Sequence, residues 1–196
     1  MSFRKEKKYR LSFSDLSKLK SLLVNSGMTE IYPKRKIFSK YFDTLDLKMF
    51  NDSEEGLLPR KKIRIRWYNY ESKINLETKI SSIEGRFKKS KLINDIKDDD
   101  KFYLRDNFYG KIYPSILVSY KREYYQFKKL RLTFDTNIQY TDLQKNKKIV
   151  YSDKEVVMEV KTDSFTPDDY IDDVVKYPTT RFSKYSRGVL FAKGLL

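Results

Sequence analysis

Histidine and cysteine are both missing from the 196 residues of this chain. Their absence excludes an imidazole general base, Ser-His-Asp and Cys-His nucleophiles, disulfides, Fe–S clusters and any thiolate or imidazole zinc site. Any catalysis must run on carboxylates, Lys, Arg, Tyr, Ser and Thr, and any metal must be a hard cation held by oxygen. Gly85 to Lys91 (G-R-F-K-K-S-K) superficially resembles a phosphate loop, but one glycine is too little for a P-loop. Long apolar runs are missing too: the stretch around Gly188–Ala192 falls far short of the ~20 residues of a membrane span. The N-terminus, Met1 to Arg10, has no apolar signal segment. A soluble, cytoplasmic protein is the expectation.

Positive charge is what the chain has in excess. Forty-two Lys+Arg against 27 Asp+Glu give a net charge of +15, with a pI near 9.6. The expected partner is therefore polyanionic: nucleic acid, an anionic membrane or phosphates. Sixteen Tyr and 13 Phe, within a hydrophobic fraction of 39%, supply enough buried area for a packed fold. The length predicts one domain, residues 1–196.

Few segments read as helix. Leu16, Leu19, Leu22 and Leu23 recur at helical spacing, Ser12 and Asp15 make a capping-box-like start, and Gly27 is placed to stop the helix. Thr166-Pro167-Asp168-Asp169 signals a second helix with Thr166 as N-cap, and a short turn of helix is predicted around Leu45–Phe50.

The remainder alternates as strands do. Arg60, Lys62, Arg64 and Arg66 share one face of a strand, with Ile63, Ile65 and Trp67 on the other. The same division holds for Arg4, Glu6 and Lys8; for Glu77 and Lys79; for Tyr120, Arg122 and Tyr124; for Arg131, Thr133 and Asp135; and for Glu159 and Lys161 against Val156, Met158 and Val160. For any one strand, a solvated outer face explains this as well as anything. Six such strands, with acids interleaved among the cations, instead favour a closed antiparallel barrel with a charged, water-filled interior and a helix-covered apolar exterior. The expected fold class is α+β, an eight-stranded antiparallel β-barrel tunnel with flanking helices.

Lys62-Ile63-Arg64-Ile65-Arg66 is the strongest single motif. Cations two residues apart on a strand, about 6.5–7 Å, suit successive phosphoryl groups, and guanidinium forks bind phosphate oxygens bidentately. Glu77-Thr78-Lys79 and Glu159-Val160-Lys161 each place a carboxylate and an ammonium on one face, which alone reads as a register-holding ion pair. Among so many cations, Glu159 is also a candidate metal ligand, because Mg²⁺ or Mn²⁺ bound to phosphates needs only one or two protein carboxylates. Lys88 or Lys89 is expected to reach inward.

Taken in order, Arg4-x-Glu6-x-Lys8-Tyr9, Ser39-x-Tyr41-Phe42-Asp43-Thr44, Lys62-x-Arg64-x-Arg66, Leu76-Glu77-x-Lys79, Ser119-Tyr120-x-Arg122, Arg131-x-Thr133-x-Asp135, Glu159-x-Lys161 and Ser183-Lys184-Tyr185 strongly resemble the vacuolar transporter chaperone (VTC) domain. That family is the polyphosphate polymerase branch of the triphosphate tunnel metalloenzymes. The resemblance implies a phosphotransferase that uses a divalent cation, usually Mn²⁺ (or Mg²⁺), to transfer the γ-phosphoryl group of ATP onto a growing polyphosphate chain. It implies Arg64, Arg66 and Lys184 as the catalytic set and Glu159 as the metal ligand. Phosphate contacts are implied for Lys8, Lys62, Lys79, Arg122, Arg131, Lys161, Arg181 and Ser183, and for Lys88 by a looser match. Where the wider superfamily carries the first of two alternating acids, this chain has Arg4, a departure that points away from the hydrolase branch. The implied partners are ATP and polyphosphate, with no nucleic acid and no membrane segment in this chain. Two other readings stay open at this level: a tripolyphosphatase or nucleoside triphosphatase with Glu6 or Glu77 as base, and a polyanion-binding module without turnover.

Overall fold

The computed structural model describes residues 4–69, 71–94, 102–145 and 149–196. Ten strands and four helices form among them, in the order β1 (Arg4–Leu11), α1 (Phe13–Asn25), β2 (Thr29–Asp43), α2 (Lys48–Glu55), β3 (Arg60–Tyr68), β4 (Glu71–Ser82), β5 (Gly85–Ile93), β6 (Leu104–Asp106), β7 (Gly110–Phe127), β8 (Leu130–Asp142), β9 (Val150–Ser152), β10 (Val156–Asp163), α3 (Asp168–Val174) and α4 (Lys184–Ala192). β1 with β10, β10 with β8, β2 with β3, β3 with β4, β4 with β5, β6 with β7 and β8 with β9 all pair antiparallel. The architecture is thus α+β with an antiparallel sheet, as the alternating pattern predicts. β6 and β9 are three-residue strands beside the eight longer ones.

The chain divides into two compact units. The first comprises Met1–Arg35, Tyr120–Ile138 and Asp153–Phe182. Its strands follow the order β1-β10-β8-β7-β2, using the last residues of β7, the first of β2 and most of β8. Odd and even positions separate as the sequence predicts. Tyr9, Leu11, Leu132, Phe134, Met158 and Val160 form a buried cluster with Leu19 and Leu23 of α1 and with Ile171 and Val175 at α3. Helix α1 starts where expected, with the Ser12 hydroxyl accepting from the Asp15 amide, and it ends before Gly27 at φ +98°. The second predicted helix begins slightly later than expected. Pro167 occupies the N-cap, while the Thr166 hydroxyl pairs with that of Thr162 at 2.7 Å.

The second unit comprises Lys36–Ser119, Gln139–Ser152 and Ser183–Leu196. Here the order runs β7-β2-β3-β4-β5, with β6 on β7 and β9 on β8. Its apolar side gathers Phe42, Met49, Ile63, Ile65, Tyr109 and Ile112. The short predicted helix near residue 45 forms as α2, shifted to Lys48–Glu55. The αL residue Leu47 provides its N-cap without a side-chain bond, and Asp43 accepts from the Met49 and Phe50 amides instead, at 2.8 and 2.9 Å.

Helix α4 is absent from the sequence reading. Its middle residue, Gly188, is required by proximity: a Cβ there would lie 2.7 Å from Ile116 Cγ2 and 2.9 Å from Tyr140 Cδ1. Gly188→Ala is expected to destabilise the protein by about 1–2 kcal/mol, because overpacking outweighs the gain in helix propensity. Thermal unfolding checks this; a midpoint that stays put or rises would mean that α4 is not so closely seated.

Candidate active site

In the first unit the charged faces of β1, β10 and β8 lie in register. Lys8 is directly opposite Glu159, and Glu6 is opposite Lys161. On the other side of β10, Glu159 faces Thr133 and Lys161 faces Arg131. The result is a checkerboard: Lys8 Nζ stands 3.4 Å from Glu6 and 3.6 Å from Glu159, and Lys161 Nζ stands 3.7 and 3.3 Å from the same two carboxylates. These distances exceed the roughly 2.7–2.9 Å of a tight charge-assisted bond. Arg122 is held more firmly. Its Nε and Nη2 donate to the two oxygens of Asp135 at 2.5 and 2.6 Å, and Nη2 lies 3.5 Å from Glu159. Lys8 also donates to the Phe182 carbonyl at 3.1 Å, which draws the segment carrying the exposed Arg181 alongside β1.

Two polar atoms of this face, Arg131 Nε and Thr133 Oγ1, are buried without a hydrogen-bond partner. Such atoms are costly unless a ligand satisfies them. No group of three or more acidic side chains that could hold a metal is present among the described residues. A Mg²⁺ or Mn²⁺ ion bound to phosphates asks for less, one or two carboxylates completed by substrate oxygens and water. Glu159 and Glu6, facing the same two lysines and accompanied by the Thr133 hydroxyl, fit that oxygen-only donor set.

The second unit carries the other charged group. Lys62 of β3, Lys79 of β4 and Lys88 of β5 are directly opposite one another in successive registers. In the adjoining row, Tyr41 faces Arg64 and Arg64 faces Glu77. Arg64 donates from Nε and Nη2 to one oxygen of Glu77 at 2.7 and 2.5 Å, and from Nη1 to the Tyr41 hydroxyl at 2.8 Å. Lys88 donates to the other Glu77 oxygen at 2.5 Å, which places Lys88 rather than Lys89 on this face. Arg66 donates to Ser39 at 3.1 Å and lies 3.9 Å from Glu77. Lys62 donates to the Ser183 hydroxyl at 3.0 Å, at the start of the helix that Lys184 opens.

These contacts correct one expectation. Arg64 is not a solvated cation of a wet interior: it is 7% exposed and locked to an equally buried carboxylate. Burial on its own would raise the Glu77 carboxyl, yet Arg64, Arg66 and Lys88 hold it down at about 2. That leaves Glu77 ionised and ion-paired, a poor candidate for a base.

Tyr41 was assigned no role in the sequence reading. Its ring stacks on Tyr185 at 5.0 Å, and the Tyr185 hydroxyl donates to the buried Asp43. Burial would raise the Tyr41 phenol, but Arg64, Arg66 and Lys79 outweigh it and bring the group down to about 7. The signal was present in the alternation of Ser39 and Tyr41, but a tyrosine in such a place reads as core. A tyrosinate titration near neutral pH is therefore expected in the near-ultraviolet spectrum. Tyr41→Phe should abolish it, and a spectrum unchanged up to the ordinary tyrosine range would contradict the arrangement.

The predicted residues thus fall into two sets. Lys8, Arg122, Arg131, Glu159, Lys161 and Arg181 belong to the first unit, and Lys62, Arg64, Arg66, Lys79, Lys88, Ser183 and Lys184 to the second.

Among solved structures, HpAC1 from Hippeastrum, a protein described by its dominant triphosphatase activity, is similar at 15% identity and TM-score 0.55, over 97% of this chain and 96% of that one. The PH1012 protein of Pyrococcus horikoshii is similar at 11% identity and TM-score 0.58, over 93% and 98%. The PH1819 protein of the same organism is similar at 13% identity and TM-score 0.56, over 98% and 99%. At these identities the likeness is one of fold, that of the triphosphate tunnel proteins. A sequence search of curated proteins gives no match. No helix among the described residues is long and apolar enough to cross a membrane. The VTC domain family model matches residues 3–193, nearly the whole chain, and the chain belongs to that family.

Proposed function

We propose that this chain acts as one functional domain, a metal-dependent polyphosphate polymerase of the cytoplasm that transfers the γ-phosphoryl group of ATP onto polyphosphate. The observation that supports it most is the row of Lys62, Lys79 and Lys88 directly opposite one another. Like charges in that position repel, and an extended polyanion relieves the repulsion. Arg64, Arg66 and Lys184 beside that row, with Ser183, are the candidate catalytic groups; Lys8, Arg122, Arg131, Lys161 and Arg181 are the candidate phosphate contacts of the first unit.

Phosphoryl transfer asks little covalent chemistry of a protein; positioning and charge neutralisation supply most of the rate. In the proposed step a terminal oxygen of the acceptor chain bonds to the γ-phosphorus, the β–γ bridging bond breaks, and its electron pair leaves with ADP. A divalent cation, when bound at Glu159 and Glu6, neutralises phosphate charge. Arg64 and Arg66 supply positive charge that orients phosphate oxygens. Within the second unit alone, six candidate cations (Lys62, Arg64, Arg66, Lys79, Lys88 and Lys184) exceed the roughly four charges of one triphosphate, which favours a longer anion.

The second reading is hydrolysis, favoured by the triphosphatase activity described for HpAC1. Short polyphosphate distinguishes the two. In the polymerase reading it serves as acceptor and shortens any lag in ADP formation from ATP and Mn²⁺; if it leaves the time course unchanged or competes as a substrate to be cleaved, the hydrolase reading takes its place.

A further inference from the structure

At one end of the charged face of the first unit, Tyr32, Arg35 and Tyr124 gather around Arg131. The rings of Tyr32 and Tyr124 meet edge to face at 5.8 Å and 88°. The Arg35 guanidinium lies 5.8 Å from the first ring and 5.7 Å from the second. The Arg131 guanidinium lies 5.5 and 5.9 Å from the same two. Two cations and two aromatic rings thus form one compact cluster, and its members are unequally covered. Tyr124 is 7% exposed, whereas Tyr32 is 47% exposed.

A tyrosine kept only for packing would hide its ring, since burial is what makes a large aromatic valuable in a core. Tyr32 is instead half-exposed, with the guanidinium carbons of Arg35 and Arg131 within 6 Å of both rings. An exposed aromatic ring with arginine beside it is a surface on which a nucleobase stacks. Arg131 also ties the cluster to the phosphate-binding face. It stands directly opposite Lys161, two residues along the strand from the Glu159–Thr133 pair, and its Nε is buried without a hydrogen-bond partner. Tyr32 and Arg35 on β2 and Lys161 on β10 are three steps apart in the strand order β10-β8-β7-β2, about 14 Å at about 4.8 Å per step, a span on the scale of an extended nucleoside triphosphate from its base to its terminal phosphate.

We propose that Tyr32, Arg35, Tyr124 and Arg131 form a seat for the purine base of a nucleoside triphosphate whose phosphates lie along Arg131, Lys161 and Glu159. The inference rests on the reading of this face as a phosphate site. Arg131 is the shared element: its guanidinium lies within 6 Å of both rings, and its residue is paired with Lys161 across the strands.

Calorimetric titration with two probes, the non-hydrolysable β,γ-imido analogue of ATP and inorganic tripolyphosphate, tests it in the presence of Mg²⁺. The wild-type protein should bind the nucleotide more tightly than tripolyphosphate. Tyr32→Ala should weaken the nucleotide about tenfold, within the range of base–aromatic stacking, and leave tripolyphosphate unchanged. Tyr32→Phe should retain nucleotide binding, and Arg35→Ala should reproduce part of the loss, which guards against a Tyr32→Ala protein that fails to fold. Equal losses for both probes, or none for either, would overturn the base seat and leave the phosphate site standing. Failure of the wild-type protein to bind either probe would overturn the phosphate reading itself.

Discussion

Arg64→Ala should lower both turnover and stability. Turnover falls because a charged hydrogen-bonding partner is worth about 1.5–3 kcal/mol to a bound phosphate, roughly ten- to a hundredfold. Stability falls because Glu77 stays behind, buried, after losing the partner that donates to it twice. Breaking one side of a buried pair costs about 3–5 kcal/mol. Lys88 and Arg66 remain near Glu77, so we expect the lower end, about 3 kcal/mol, or about 6–12 °C in a chain of this length.

The acid side of the stability profile gives the same information independently. The Glu77 carboxyl is held at about 2, below its ordinary 4.5. Its stabilising contribution is therefore present in full above pH 4.5 and is lost as pH falls towards 2. Arg64→Ala should shrink that loss. A variant with unaltered stability and lost turnover would show that Arg64 is not held by Glu77 in solution. One with full turnover would remove Arg64 from the site.

Glu159→Gln should remove metal-stimulated activity while retaining phosphate binding. The amide keeps the shape of the side chain but not the anionic oxygen that a hard cation requires. It also leaves Lys8 and Lys161, at 3.6 and 3.3 Å from Glu159, with one counter-charge fewer. Tripolyphosphate in the absence of metal is therefore expected to bind more tightly, by about 1 kcal/mol or roughly fivefold. An unchanged Mn²⁺ dependence would take Glu159 out of the metal site and leave Glu6 as its remaining carboxylate; Glu77 is already committed to Arg64, Lys88 and Arg66.

The sequence made faces legible but not depths. Alternation of charge and apolar side chains identified β1, β3, β8 and β10, because a strand's parity is written directly in its residues. The same parity could not say that Arg64 and Glu77 are buried while Lys88, in the same ladder, keeps a half-exposed side chain. That depends on which strands lie on either side. Helix α1 was legible from Ser12 and Gly27, since capping is local. Helix α4 was not, because Gly188 breaks a helical reading and its reason is the approach of Ile116 and Tyr140 from distant strands. Tyr41 escaped for a related cause: its acidity comes from three cations on neighbouring strands rather than from its own sequence surroundings. The motif residues were legible as a set, while their division between two compact units was not.

ATP labelled at the γ-phosphate gives the most direct measurement of the central claim. The purified chain is incubated with labelled ATP and Mn²⁺, and products are separated by length over time. Polymerase activity predicts that the label passes into chains longer than tripolyphosphate, with ADP formed in proportion. Label recovered only as orthophosphate, with no longer chain at any time point, would contradict it.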